Sequence, residues 1–152
     1  MGEVLFYQLS TSTLERALPE MLERSLSRGW RAVVRTATAA RVTVIDEMLW
    51  TYDPASFLPH GTDKSGQGAS QPVYLTHRDD IPNGAKVLML VDGARVNPAE
   101  VGQFDRVCLI FNSNEPGSLD AAREDWKAVR EAGLTGKYWA QDDGRWVEKA
   151  ST

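Results

Sequence analysis

The chain is poor in the residues that most often carry chemistry. Its 152 residues include one cysteine, Cys108, and two histidines, His60 and His77. A lone thiol excludes an intrachain disulfide and fits a reducing compartment. Cys108 lies inside the apolar run RVCLIF, where it reads as a small buried hydrophobe and not as a nucleophile. Neither histidine has partners at the paired spacing of a metal site. The acids nearest His77, Asp79 and Asp80, read as solvated loop residues, and His60 follows Pro59 at a chain turn. No Ser-His-Asp or Cys-His arrangement can be built from the spacing, so no catalytic residue, metal or cofactor is expected.

Positive charge is scarce as well. Lys and Arg number 17 against 21 acids, for a net charge of −4 and a pI of about 5.2. Proteins that grip a phosphate backbone usually carry a basic surplus, so direct nucleic-acid binding is not expected. No apolar run approaches the roughly 20 residues that cross a bilayer. The N-terminus shows no basic region followed by an apolar stretch. The expectation is a cytoplasmic protein without membrane contact.

Phosphate-binding glycine loops are missing too. A dinucleotide fingerprint would follow the first strand, but that position reads Gln8-Leu-Ser-Thr-Ser-Thr13. Gly61 to Gly66 imitates a phosphate loop, yet Lys64-Ser65 comes before the second glycine, and Pro72 follows where a helix should start. A small nucleotide-binding Rossmann-like enzyme is the competing reading, and it lacks its defining loop. A direct single-strand binder is a third, opposed by the acidic pI.

What is present is an alternation of elements. VLFYQL (4–9) is rich in strand-forming residues. Ser10 to Thr13 supply helix-cap candidates. Leu14, Leu18, Met21, Leu22 and Leu26 then form one apolar helical stripe, closed by Gly29. Pro19 admits two forms: a helix starting near Leu18 with the proline in its first turn, or a longer helix kinked there. RAVVRT (31–36) is a second strand. Residues 41–50 read as a helix with Val42, Ile45 and Leu49 inward and Asp46 and Glu47 toward solvent. An extended segment carrying Pro54 and Pro59 leads to a polar, Gly-rich loop over 61–70. PVYLT (72–76), KVLMLV (86–91) and RVCLIF (106–111) are further strands, the middle one apolar enough for burial on both faces. After a loop, with Ser118 as cap, residues 119–132 form a helix ended by Gly133. Residues 137–141 and 145–149 form a hairpin around Asp143-Gly144. The fold class that follows is α/β: one layered domain over 1–150, a mainly parallel central sheet flanked by helices, Rossmann-like without a nucleotide loop.

Two constellations stand out. Leu49-Trp50-Thr51-Tyr52-Asp53-Pro54, continuing to Ser56-Phe57-Leu58-Pro59-His60, sets aromatic residues on a chain stiffened by proline. It suits either a rigid contact surface or closure of the core. On the last helix, Arg123, Trp126, Lys127 and Arg130 fall at spacings of three, one and three and share a face. Cations beside an indole can hold a peptide that ends in an apolar side chain and a free carboxylate. The same pattern also suits a solvated basic face with the indole turned inward.

Taken together, these segments resemble the chi subunit family of bacterial DNA polymerase III holoenzyme. The likeness covers nearly the whole chain. It runs from Phe6-Tyr7-Gln8-Leu9 through Gly29-Trp30-Arg31 to its most specific piece, Leu49-Trp50 followed by Ser56 to His60. It continues with PVYL at Pro72 to Leu75 and closes with Arg123, Trp126-Lys127 and Gly133. The resemblance implies a non-catalytic subunit of the clamp-loader assembly with an α/β fold that needs no nucleotide. It implies that the acidic, apolar C-terminal tail of single-stranded-DNA-binding protein binds Arg123, Trp126 and Lys127, and Arg130 on the same face is expected to join them. Trp126 stands where family members often carry tyrosine. It implies a second partner, the psi subunit of the clamp loader in some bacteria, at Trp50, Phe57 and Pro59, and His60 at the adjoining turn is expected to belong to the same surface.

Overall fold

A computed structural model describes residues 2–51, 59–62 and 68–152. Phe57 and the Lys64-Ser65 pair lie outside the described residues. The elements run β1 (Glu3–Leu9), α1 (Leu14–Ser27), β2 (Ala32–Arg35), α2 (Ala39–Thr51), β3 (Gly61–Thr62), β4 (Val73–Thr76), β5 (Val87–Leu90), β6 (Arg106–Asn112), α3 (Ser118–Glu131), β7 (Thr135–Asp142) and β8 (Arg145–Ser151). Among the described residues they build one eight-stranded sheet in the order β3-β4-β2-β5-β6-β1-β7-β8. Every pairing is parallel except β7 with β8. The expected fold class is therefore the observed one.

Burial explains why the central strands are so apolar. β2, β4 and β5 are buried at every position. Leu5, Val34, Met89, Cys108 and Ile110 point to one face, beneath Leu18 and Leu22 of α1 and Ile45 and Leu49 of α2. Phe6, Val33, Leu88, Leu90 and Leu109 point to the other, beneath Ala122 and Val129 of α3. Helices on both faces of a parallel sheet are what strands apolar on both sides require.

Pro19 does not start α1. The helix runs from Leu14 to Ser27 with Pro19 inside it and buried. The hydrogen bond Pro19 cannot make would reach the carbonyl of Glu15, an exposed residue that water can serve. Gly29 and Gly133 end their helices in the left-handed region, at φ of 81° and 73°. The 143–144 turn joins β7 to β8 with both residues at positive φ, 51° and 76°, the two-residue turn whose twist matches a hairpin.

Three expectations need correction. Gly61-Thr62 is not loop but a short edge strand paired with β4. Ser118 is the first residue of α3 and Gly117 its cap; the Ser118 hydroxyl donates to the carbonyls of Asn112 and Glu115 instead. Asp46 is turned partly inward, where its carboxylate meets the His60 ring at 3.0 Å. A 3-10 helix over Pro98–Gln103 had no counterpart in the sequence reading. Its Glu100 is buried because it forms an ion pair with Arg35 at the end of β2, at 2.5 Å.

Candidate functional site

α3 buries Ala122, Asp125 and Val129. That inward stripe fixes what the next positions do. Asp125 is held from below: Arg95 donates to it through Nε and Nη2, at 2.9–3.1 Å, and the Val96 amide donates at 3.1 Å. The Arg95 guanidinium is raised above its ordinary pKa chiefly by this hydrogen bonding to Asp125. The helix is thereby pinned to the chain leaving β5.

One position further round, Trp126 is half-buried. Its ring meets Phe6 edge-on at 5.3 Å and Tyr138 edge-on at 5.9 Å. Tyr138 in turn stacks on Phe6 at 6.0 Å and meets Phe111 at 6.2 Å. The Tyr138 hydroxyl donates to the Gln8 side chain. Partial burial pushes the Tyr138 phenol up, and the positive charge of Arg123 acts in the opposite direction. β7 supplies the wall because its alternation sets Gly136, Tyr138 and Ala140 opposite Val4, Phe6 and Gln8 of β1. A side chain at Gly136 would lie 3.2 Å from Val129 and 3.3 Å from the Trp126 ring, so glycine lets the indole sit close to the sheet.

The cations stand outside this wall. The Arg123 and Lys127 side chains are 69% and 68% exposed, and Arg130 is exposed. Their ion pairs are long, Arg123 to Asp120 at 3.9 Å and Lys127 to Glu131 at 4.0 Å. Such exposed pairs hold a cation only weakly. The fold therefore brings Arg123, Trp126, Lys127 and Arg130 onto one helix surface. It adds Tyr138, Phe111 and Gly136, which the sequence reading missed. The alternation of β7 hinted at Tyr138, but only strand order places it next to α3.

The other constellation lies on the opposite face of the sheet, at the end of α2. Trp50 is 54% exposed. His60 is buried behind it, ring to ring at 4.5 Å, with its Nε2 against the Asp46 carboxylate. Pro59 is half-buried beside it. His60 thus supports Trp50 from within.

A cleft of about 400 Å³ opens where the strand order reverses, at the carboxyl ends of β5, β6 and β1. Its polar rim carries Arg41, Asp92, Arg95, Asn112 and Glu115. Both guanidiniums are engaged by carboxylates, Arg41 by Asp92 at 2.9 Å and Arg95 by Asp125 at 2.9 Å. Cys108, on β6, is buried, and burial pushes its thiol up to about 12, far from a reactive thiolate.

Residues 1–137 match the family model described as DNA polymerase III chi subunit, HolC. The chain belongs to that family. A protein of Rickettsia prowazekii (strain Madrid E), named as a probable DNA polymerase III subunit chi, is 29% identical over 91 residues. That similarity takes in 60% of this chain and 55% of the relative's own length, so the chain spans little more than half of that protein. The chi family match includes α2 and α3, and with them Trp50, Arg123, Trp126, Lys127 and Arg130. It ends just before Tyr138, inside β7.

Proposed function

We propose that this chain is a non-catalytic accessory subunit of the DNA polymerase III holoenzyme. It links the clamp-loader assembly to single-stranded-DNA-binding protein by holding that protein's acidic C-terminal tail along α3. The observation that carries this reading is the pairing of exposed cations with a fixed aromatic wall. Arg123, Lys127 and Arg130 suit the carboxylates of the tail. Trp126 and Tyr138, both half-buried and ring-packed, suit its apolar end. Each charged hydrogen bond to a carboxylate is worth about 1.5–3 kcal/mol. The rigid rings lose little entropy when covered.

The reading also accounts for the acidic net charge. A subunit that binds the tail of a DNA-coating protein needs no basic surplus of its own. Trp50, backed by His60 and Asp46 and with Pro59 nearby, suits a second partner among the clamp-loader subunits, psi where it exists. Two anchors on one body raise overall retention beyond either alone.

The test uses purified full-length single-stranded-DNA-binding protein and a form lacking its tail. Co-elution on gel filtration with the full-length form but not with the tail-less one is the expected result. Equal co-elution with both would reject a tail site.

A further inference from the structure

The turn between β1 and α1 holds an arrangement that the tail site does not use. The backbone N–H groups of Ser10, Thr11 and Ser12 all donate to one atom, the Oε1 of Gln141, at 2.9, 3.0 and 3.1 Å. The Thr11 hydroxyl donates to the same oxygen at 3.3 Å. The Gln141 Nε2 donates to the Ser12 hydroxyl at 2.8 Å, and the Ser10 hydroxyl donates to the Gln141 backbone carbonyl at 3.4 Å. Four donors on one neutral amide oxygen exceed its two lone pairs. Converging backbone amides of this kind form a concavity suited to an anionic oxygen.

The place of the turn matters. It follows the first strand, beside the reversal of strand order, where doubly wound sheets hold a phosphate. The 400 Å³ cleft adjoins it and is lined by Leu9, Thr13 and Leu14 on either side of the turn. The occupant arrives from β7, which pairs directly with β1. Gln141 lies beyond residues 1–137, the part matched by the family model.

We propose that Gln141 is an intramolecular plug: its amide fills an oxyanion nest in the β1–α1 turn, closing it to phosphate groups and latching the C-terminal hairpin onto the domain. The fold then keeps the geometry of a phosphate site while the chain's own side chain occupies it.

The test follows the amides of Ser10, Thr11 and Ser12 by NMR during titration with inorganic phosphate. In the unmodified protein they should stay still. In Gln141→Ala they should shift saturably, because the nest is vacated. Equal shifts in both proteins, or none in a folded Gln141→Ala variant, would overturn the proposal. Gln141→Glu supplies a second readout should the alanine variant fail to fold. Its carboxylate should keep the nest closed to phosphate at neutral pH, with a melting temperature at least that of the parent. Phosphate-induced shifts in Gln141→Glu, or a neutral-pH melting temperature below the parent's, would equally overturn it.

Discussion

Single residues in this protein separate into those that hold the fold and those that face outward from it. Asp125 belongs to the first kind. Removing its carboxylate leaves the buried Val96 amide without its acceptor, while the half-exposed Arg95 keeps Glu124 and the Ala121 carbonyl. Asp125→Ala should cost about 1–3 kcal/mol in urea unfolding, the scale for a buried amide left without its acceptor. Arg123 and Lys127 belong to the second kind. Their ion pairs are exposed and long, so alanine at either position should change stability by under about 0.5 kcal/mol in the same measurement. Asp80 adds a pH dependence. Slight burial pushes its carboxyl up, but hydrogen bonds from Thr76 and Tyr74 outweigh this and hold it below the ordinary value. A carboxyl lowered in the folded state stabilises above its unfolded pKa and loses that contribution as pH falls through the folded one. Asp80→Asn should therefore shrink the drop in melting temperature on acidification. A drop of unchanged size would contradict this.

Among the elements, the legible ones were those whose pattern is local. The alternation in VLFYQL, the apolar run KVLMLV and the helix-ending glycines each carry their own signal, and the structure has β1, β5, α1 and α3 there. The 143–144 turn was legible because Asp-Gly favours positive φ at both positions. The 3-10 helix over Pro98–Gln103 was not, since Glu100 is buried only by virtue of Arg35, 65 residues away. Half of the candidate site was legible for the same reason. Arg123, Trp126, Lys127 and Arg130 share a helix face whatever the fold. The wall of Tyr138, Phe111 and Gly136 exists only because β7 pairs with β1. The glycine in that wall gives an element-scale prediction. Gly136→Val would press on Val129 and the Trp126 ring. It should cost about 1–3 kcal/mol of stability and blue- or red-shift Trp126 fluorescence; an unchanged spectrum and unchanged stability would contradict the packing.

For the molecule as a whole, the sheet works as a spacer. α1 and α2 cover one face and α3 the other. α2 packs near β4 and α3 near β6 and β7, so Trp50 and Trp126 stand on opposite faces and several strands apart. With neighbouring strands about 4.8 Å apart, the lateral offset from β4 to β7 is about 24 Å. Sites so separated and sharing no partner should act independently. Trp50→Ala should leave tail-peptide affinity unchanged while weakening capture of clamp-loader subunits. A matching loss in both assays would show that the two surfaces are not separate.

Tail binding along α3 is read out by calorimetry with an acidic peptide ending in phenylalanine. Arg123→Ala and Lys127→Ala should each weaken binding roughly tenfold, the size of one charge-assisted contact. The difference from the parent protein should narrow as salt rises. Equal affinity for the parent and both variants at low salt would contradict the account.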